Sequence, residues 1–129
     1  MFKEFKLVTF SDKKGKLTPL ELSDFFDFEV KRIYTVHENI EVRGGHAHIL
    51  EEEFFMMTSG SCRCRLHDGN DWVEINLDAN ENGLYVGQMI WHEFDNFSDD
   101  GVLLALSSTN YNPNRLDYIE NINEFLKNV

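Results

Sequence analysis

The sequence is poor in cysteine, proline and positive charge. It has two cysteines and two prolines among 129 residues, and 12 lysines and arginines stand against 23 aspartates and glutamates, for a formal net charge of −11. Two cysteines are too few for a disulfide-stabilised fold or for a structural zinc site. So few cations argue against a nucleic-acid partner, which requires a basic surface, and against a polybasic contact with a membrane.

A long hydrophobic run is also missing. The longest strictly apolar run covers only residues 102–106, and charged residues interrupt the first ten positions. We therefore expect neither a signal peptide nor a membrane span, and a soluble, cytoplasmic protein. A chain of this length can bury a core without disulfides or a metal, and we expect one domain over residues 1–129. Cys62 and Cys64 are predicted to be buried free thiols, since they lie two apart on one predicted strand.

The positive charges are concentrated in the first half of the chain. Residues 1–65 hold ten basic and eleven acidic residues, whereas residues 66–129 hold two basic and twelve acidic residues. An anionic ligand would therefore find its partners mainly in the first half. The candidates there are Lys14, Lys16, Arg32, Arg43, Arg63 and Arg65.

Short stretches with strand periodicity follow one another along most of the chain, with turn residues between them. A turn-rich loop at residues 67–71 separates two alternating runs and predicts a hairpin. The predicted strands are 5–10, 16–20, 30–36, 46–48 continuing at 53–57, 61–66, 72–77, 83–87, 89–94 and 102–107. Only the tail changes period: Asn112-Pro113 resembles a helix start, and the apolar residues that follow recur at helical spacing. The pattern predicts an all-β, antiparallel jelly-roll barrel with one C-terminal amphipathic helix.

The densest chemistry lies in the segment Arg43-Gly-Gly-His-Ala-His48. His46 and His48 occupy alternate positions of a strand, so both imidazoles would point to the same side, into the barrel. Two adjacent imidazoles can hold a metal or move protons. Arg43 could offer a bidentate donor to a phosphate or a carboxylate, and the two glycines permit a close backbone turn.

The spacing of these residues resembles the cupin motifs. His46-x-His48 is followed after four residues by Glu53 and after six more by Gly60, and His92 with Asn96 resembles the end of the second motif. In a metal-dependent cupin, His46, His48, Glu53 and His92 would be the ligands of an Fe, Mn, Ni or Zn ion. A metal-dependent cupin enzyme is therefore one hypothesis, and a non-catalytic sugar-binding cupin is another.

Nearly the whole chain is similar to the dTDP-4-keto-6-deoxyglucose 3,4-ketoisomerases of the cupin superfamily, the WxcM-like sugar isomerases. The matching segments are Lys31-Arg-Ile-Tyr34, Arg43-Gly-Gly-His-Ala-His48, Gly60-Ser-Cys-Arg63, Asp68-Gly69, Gly83-Leu-Tyr-Val-Gly87, Trp91-His-Glu93, Phe97-Ser98 and Asp117-Tyr-Ile119. The resemblance implies a homodimer, often with exchanged N-terminal strands, that acts without a metal or other cofactor on a dTDP-linked 4-keto-6-deoxyhexose. The 3-keto product serves the synthesis of 3-amino-3,6-dideoxy sugars for surface glycans such as the O-antigen.

The resemblance also suggests catalytic roles. It implies that His48 moves the proton between the two carbons, that His46 moves the proton on the oxygen side, and that Tyr34 hydrogen-bonds the sugar. Arg43 would hold the pyrophosphate, because a diphosphate needs charge-assisted donors. The further substrate-binding residues predicted are Arg32, Lys14, Glu53, Trp91 and His92.

Three departures from the family pattern affect these expectations. The family usually has lysine at the position of Ile49 and glutamine at the position of Glu53, and its Asp-Tyr-Ile run is followed by arginine where this chain has Glu120. The carboxylate at position 53 leaves the hypothesis of a bound metal open. His92, together with a basic Lys14, favours a product of galacto configuration.

Overall fold

The computed structural model describes residues 1–39 and 41–129, and in those residues it has twelve strands and one α-helix. A 3-10 turn at Leu22–Asp24 precedes the fourth strand. The strands are β1 (Phe2–Lys6), β2 (Phe10–Asp12), β3 (Gly15–Leu17), β4 (Arg32–His37), β5 (Arg43–His48), β6 (Glu53–Ser59), β7 (Ser61–His67), β8 (Trp72–Asp78), β9 (Asn82–Val86), β10 (Trp91–Asp95), β11 (Val102–Ser107) and β12 (Tyr118–Ile119), and the helix is α1 (Ile122–Lys127).

Ten of the strands form two antiparallel sheets that share one core. The first sheet has the order β1-β9-β6-β11-β4 and the second has the order β12-β5-β10-β7-β8, while β2 and β3 pair only with each other. Neighbouring strands are mostly not consecutive in the chain, which is typical of a jelly roll. Apolar side chains of both sheets meet in the core, among them Phe55, Met57, Leu84, Leu103, Cys64, Leu66, Leu77 and Phe94. The predicted all-β jelly roll with a C-terminal helix is confirmed.

Strand β6 is buried on both faces at residues 54–57, which explains why these four residues are all apolar. Phe55 and Met57 point into the core between the sheets, whereas Phe54 and Met56 lie on the opposite face. Phenylalanines of the N-terminal segment cover that second face: Phe5, Phe25, Phe26 and Phe28. The ring of Phe25 lies 5.2 Å from the ring of Phe54. This segment is therefore part of the core of its own chain.

The predicted hairpin is confirmed as β7 and β8, which pair over their whole length. Cys62 and Cys64 point inward and are buried free thiols, as expected. Arg63 and Arg65 point outward, where they form ion pairs with Asp95 and Glu93 of the neighbouring strand β10. The sequence had offered these two arginines as partners of an anionic ligand, but they form their ion pairs on the outer surface of the second sheet.

One predicted strand is divided between the two sheets. The sequence predicted that the strand opened by His46–His48 continues at Glu53, but β5 ends at His48 in the second sheet and β6 begins at Glu53 in the first. Residues 49–52 cross between the sheets, and the side chain of Asp117 accepts the backbone N–H groups of Leu50 and Glu51 there. The prediction was wrong because a distant side chain stabilises this crossing.

The C-terminal helix begins later than predicted. The sequence placed its start at Asn112-Pro113, but α1 begins at Ile122, where the side chain of Asn121 accepts two backbone N–H groups of the first turn. The preceding residues form turns and the strand β12, in which Ile119 pairs with Ala47 of β5. Pairing with a distant strand outweighs the helical spacing of the apolar residues.

The N-terminal strands also differ from the prediction. The sequence placed one strand at residues 5–10 and a second segment at residues 16–20, but β1 is Phe2–Lys6 and pairs with β9, while Phe10–Asp12 and Gly15–Leu17 form a separate hairpin. The hairpin projects from the first sheet, and every residue in its two strands is exposed. Within the described residues, no helix is long and apolar enough to cross a membrane.

Candidate active site

Four strands bring most of the predicted site residues together. Tyr34 lies on β4, His46 and His48 on β5, Glu53 at the start of β6 and His92 on β10. These five residues lie beside a cavity of about 380 Å³. Tyr34, His46 and His92 line this cavity, whereas His48 and Glu53 are 3% and 1% exposed and lie behind its wall.

Gly44 allows β5 to approach β10 closely at the site. Its φ of +87° is in the left-handed region, and a Cβ atom at this position would lie 3.1 Å from the carbonyl oxygen of His92. The register between the two strands shifts here, so that His46 pairs with His92 and Gly44 with Glu93. A glycine is required by both the conformation and the contact. This explains why one of the two residues directly before His46 is a glycine.

His46 presents a neutral imidazole to the cavity. Its ring centre lies 4.7 Å from that of His48 and 4.8 Å from that of His92. Burial lowers the pKa of His46 to about 2, with a contribution from the two neighbouring imidazoles. His46 is therefore uncharged at physiological pH and has a nitrogen lone pair that can accept a proton.

His48 is surrounded by carboxylates. Its Nδ1 lies 3.1 Å from Asp117 Oδ2 and 3.5 Å from Glu51 Oε1, and its Nε2 lies 3.2 Å from Glu53 Oε1. Burial by itself lowers the pKa of His48, but the hydrogen bond to Glu53 and the charges of the three carboxylates outweigh burial, so the net direction is upward. The surroundings of His48 therefore stabilise its protonated form.

Glu53 connects the buried imidazole to the cavity wall. Its Oε2 accepts a hydrogen bond of 2.5 Å from the hydroxyl of Tyr34, and its Oε1 faces Nε2 of both His48 and His92. Burial by itself raises the pKa of Glu53, but the two imidazoles outweigh burial and hold its pKa well below the usual range. Burial and the charge of Glu53 raise the pKa of Tyr34, which therefore stays protonated.

Arg32 and Arg43, predicted to bind substrate, both line the cavity. The Nη2 of Arg32 donates to the buried carboxylate of Glu51 at 3.0 Å, so its charge is already paired. The Nε of Arg43 donates to the side-chain oxygen of Asn39 at 3.4 Å, and Arg43 forms no ion pair with any described residue. Arg43 therefore keeps its positive charge available to a ligand.

Two predicted substrate-binding residues lie away from the cavity of their own chain. Lys14 is at the turn of the exposed hairpin, where its backbone N–H donates to Asp12. Trp91 lies on β10 but points to the outer side of the second sheet, where it packs against Phe125 of α1. The neighbouring residue His92 points inward, as the alternation along a strand requires.

The sequence did not assign a role to four residues at the site. Asp117 and Glu51 contact the imidazole of His48, and Tyr118 and Arg115 line the cavity. Asp117 and Tyr118 belong to a segment that contributed to the family resemblance, which was the available signal. The sequence predicted a helix here, and a helix would not have placed them at the site. The turns before Tyr118 bring them there instead.

Comparison with known proteins identifies the family of this chain. A protein-family model for FdtA, described as WxcM-like, C-terminal, matches residues 2–129. The TDP-4-oxo-6-deoxy-alpha-D-glucose-3,4-oxoisomerase of Aneurinibacillus thermoaerophilus is 38% identical over 131 residues, which cover 98% of this chain and 93% of that protein. The chain belongs to this family of sugar 3,4-ketoisomerases. It is therefore an isomerase.

Solved structures of ketoisomerases have the same fold. The TDP-quinovose 3,4-ketoisomerase WlaRB of Campylobacter jejuni is 38% identical, with a TM-score of 0.87 and coverage of 98% of this chain and 97% of the other. A mutant of the 3,4-ketoisomerase QdtA of Thermoanaerobacterium thermosaccharolyticum, in complex with TDP-4-keto-6-deoxyglucose, is 29% identical, with a TM-score of 0.87 and coverage of 98% and 92%. The ketoisomerases therefore match this chain over almost its entire length.

The side chains of this ketoisomerase family member could also hold a metal. The ligand atoms of His46, His48, Glu53 and His92 lie within 4.8 Å of one another, and three imidazoles with one carboxylate suit Zn, Fe, Mn or Ni. Glu53 Oε1 is buried without a well-oriented hydrogen bond, as a ligand oxygen would be. A metal held by these four residues would act as a Lewis acid. The carboxylates around His48 oppose this, because an imidazolium has no lone pair for a metal.

We predict that His46 makes the ketoisomerase less stable in acid. An unfolded chain binds a proton at His46 below about pH 6.5, whereas the folded chain does not until about pH 2, so stability falls as the pH falls. The free energy of unfolding of the wild type should decrease, relative to His46→Asn, by at most about 1.4 kcal/mol per pH unit below pH 6.5. Urea unfolding at pH 7.5, 6.0 and 5.0 measures this difference. His37→Asn, at an exposed position, is the control, and parallel curves for wild type and His46→Asn would contradict the prediction.

Proposed function

We propose that the protein converts dTDP-4-keto-6-deoxy-D-glucose to a dTDP-3-keto-6-deoxyhexose. The observation that carries this proposal is a neutral imidazole, His46, at the wall of a cavity that also holds the unpaired charge of Arg43. A nucleotide sugar has the two matching parts: a keto sugar whose protons must move and a diphosphate that requires cations. The relatives support the substrate, since one is a TDP-4-oxo-6-deoxyglucose isomerase and another binds TDP-4-keto-6-deoxyglucose.

The reaction moves hydrogen without net oxidation. A proton leaves C3, an enediol forms, and a proton is delivered to C4, while a second proton passes from the oxygen on C3 to the oxygen on C4. The ketone thereby moves from C4 to C3, and the numbers of atoms and electrons are unchanged. Such a sequence needs side chains that accept and return protons near neutral pH. It requires no external oxidant or reductant.

The burial of the two histidines favours His46 for the transfer between carbons. The family resemblance assigned this step to His48 and the oxygen-side step to His46. His46 is neutral and lines the cavity, whereas His48 is 3% exposed and has a pKa that its carboxylate neighbours raise. An anionic substrate near His46 raises the basicity of its ring, because an opposite charge favours the protonated form. We therefore exchange the two roles.

Tyr34 connects His48 with the oxygen side of the sugar. Its hydroxyl proton is donated to Glu53, which leaves a lone pair free to accept a hydrogen bond from a sugar hydroxyl. Glu53 in turn faces Nε2 of His48. The sequence His48, Glu53, Tyr34 thus links a buried imidazole to the cavity wall through one hydrogen bond, from Tyr34 to Glu53, and one contact of 3.2 Å between Glu53 and His48. We assign this chain of groups to the proton that moves between the oxygens.

Arg43 is the proposed partner of the diphosphate, with Arg32 beside it on the cavity wall. The two guanidiniums differ, because Arg32 is balanced by Glu51 while Arg43 forms no ion pair within the described part of the chain. For the configuration of the product we favour galacto, on the basis of His92 at the cavity wall. Lys14, the second residue behind that expectation, does not line the cavity of its own chain.

The deuterium experiment tests the proposed activity directly. Incubation of wild-type protein with dTDP-4-keto-6-deoxyglucose in D₂O should give a 3-keto product with deuterium at C4, because the transferred proton passes through a group that exchanges with solvent. NMR reports substrate, reaction and configuration at C4 together. Binding of the nucleotide sugar without conversion or exchange would instead support the non-catalytic sugar-binding alternative.

We predict that the activity does not depend on a metal. The carboxylates around His48 raise its pKa and so favour its protonated form, whereas a metal ligand must be the neutral imidazole. Treatment with EDTA or 1,10-phenanthroline should leave the rate unchanged, and elemental analysis should find much less than one metal ion per chain. Stoichiometric Fe or Zn with activity lost to chelator would establish the metal-dependent cupin alternative, with His46, His48, Glu53 and His92 as ligands.

The remaining expectations concern the setting of the enzyme. We infer that the protein is a homodimer in which the hairpin β2–β3 is the N-terminal part exchanged between subunits, since it leaves Phe10 and Leu17 61% and 64% exposed, as an interface would require. A second chain seated against this hairpin would cover both side chains. The cytoplasmic location and the role of the product in 3-amino-3,6-dideoxy sugars of surface glycans stay predictions.

A further inference from the structure

Arg115 adds a third guanidinium to the cavity, from a segment far from Arg32 and Arg43 in the chain. Its φ of +53° is in the left-handed region, and its backbone N–H donates to the carbonyl of Asn112 at 3.0 Å, closing a turn. The backbone N–H of Tyr118 in turn donates to the carbonyl of Arg115. These turns bring the side chain of Arg115 to the cavity wall.

Three neighbours hold the guanidinium of Arg115 in one orientation. Its Nε and Nη2 donate to Glu120 Oε1 at 3.0 and 2.6 Å. The ring centre of Tyr118 lies 3.9 Å from the guanidinium carbon, and the hydroxyl of Tyr111 lies 3.5 Å from Nη1. A guanidinium fixed by a carboxylate and an aromatic face loses little freedom when it binds a ligand. Nη1 has no carboxylate partner among the described residues, so it can donate a hydrogen bond to a ligand in the cavity.

Three guanidiniums line the cavity although the chain is acidic, and two of them, Arg32 and Arg115, form ion pairs with carboxylates outside the lining. Arg32, Arg43 and Arg115 line the cavity, and none of the described residues in its lining is an aspartate or a glutamate. Glu120, the partner of Arg115, lies outside the lining and its side chain is 55% exposed. Solvent therefore screens part of its charge, whereas the charge of Arg115 faces the cavity. Such a wall in a protein of net charge −11 selects an anionic ligand.

Arg115 and His46 contact the same aromatic ring, that of Tyr118. The ring of Tyr118 contacts the ring of His46, with centres 4.9 Å apart, and the guanidinium of Arg115 lies over that same tyrosine ring. One aromatic ring thus separates the proposed base from the cation. In the substrate, one pyranose ring separates the reacting carbons C3 and C4 from the diphosphate on C1.

We propose that Arg115, oriented by Glu120 and Tyr118, binds the diphosphate of the nucleotide sugar together with Arg43. This proposal rests on the proposed function, since it assumes a nucleoside diphosphate sugar in the cavity. It gives the pair Arg115–Glu120 a role in substrate affinity, and it places part of the anion site in the acidic half of the chain.

Binding of dTDP and of thymidine to Arg115→Gln tests the proposal, measured by titration calorimetry or by inhibition of turnover. Loss of one charge-assisted contact should weaken dTDP binding by about tenfold or more, whereas thymidine, which has no phosphate, should bind as it does to wild type. The KM for the nucleotide sugar should rise by a similar factor with little change in kcat. Glu120→Gln keeps the cation but loses its anchor, so we expect a loss of about two- to threefold.

Arg63→Gln is the matched control, because Arg63 is also held by two hydrogen bonds to a carboxylate, Asp95, but on the outer surface. Its affinity for dTDP should equal that of wild type. Wild-type affinity of Arg115→Gln for dTDP would overturn the role of Arg115 and leave the proposed function intact. An equal loss for thymidine and dTDP would mean a structural role and would overturn it too. A wild-type protein that does not bind dTDP would overturn both proposals.

Discussion

Replacing His46 by asparagine is expected to lower kcat by about three orders of magnitude, within the usual range for removal of a general acid–base group. His46 is the uncharged imidazole at the cavity wall, and asparagine fills a similar volume but cannot accept a proton at this pH. Binding should change little, because the proposed diphosphate partners are arginines on other parts of the wall. Steady-state rates and deuterium incorporation at C4 in D₂O measure the effect, and dTDP affinity measures binding.

His37→Asn is the control for His46→Asn, since His37 also lies on a strand but its side chain is exposed and does not line the cavity. It should retain the wild-type rate. His48→Asn distinguishes the two assignments of the carbon step. If His46→Asn still incorporates deuterium at carbon while His48→Asn does not, the assignment suggested by the family resemblance is correct and the exchanged roles are wrong.

Replacing Glu53 by leucine is expected to lower the free energy of unfolding by about 3–5 kcal/mol, the usual cost of removing one partner from a buried ionic cluster. Glu53 is 1% exposed and accepts from Tyr34 while it faces the imidazoles of His48 and His92. Leucine would leave the tyrosine hydroxyl, and the Nε2 atoms of His48 and His92, without the carboxylate that they face. A domain of this kind has a total stability of about 5–15 kcal/mol, so the loss is a large part of it.

Glu53→Gln is the matched control for this prediction. Glutamine keeps the length of the side chain and an oxygen that can accept from Tyr34, and it removes only the charge that balances His48. We expect a loss of about 1–2 kcal/mol, smaller than for leucine, in urea unfolding at pH 7.5. Equal stabilities of the leucine variant and the wild type would mean that the cluster contributes nothing to the fold.

The sequence determined those features that depend on neighbouring residues. Alternation of apolar and polar residues predicted the hairpin β7–β8, because burial of one face imposes a period of two. The segment Arg43-Gly-Gly-His-Ala-His48 predicted two imidazoles on one face, and the resemblance it carried predicted the family. Arg32 and Tyr34, at alternate positions of β4, both line the cavity.

Only the tertiary structure decided which of these residues reach the cavity and what charges they carry. His48 and Asp117 are 69 positions apart in the sequence, and their contact depends on the pairing of β12 with β5. The same pairing replaced the predicted start of the helix with turns and brought Arg115 to the cavity wall. Lys14 and Trp91, which were predicted to bind substrate, lie elsewhere in the chain described here.

The physical reason is the range of the interactions involved. Hydrophobic periodicity and turn chemistry act over a few residues, so the sequence shows them directly. The pKa values of His46 and His48 depend on burial and on charges supplied by other strands, and they shift in opposite directions although the residues are two positions apart. The sequence therefore determined that two histidines share the site, and the packing of the sheets decided that the pKa of His46 is lowered and that of His48 is raised.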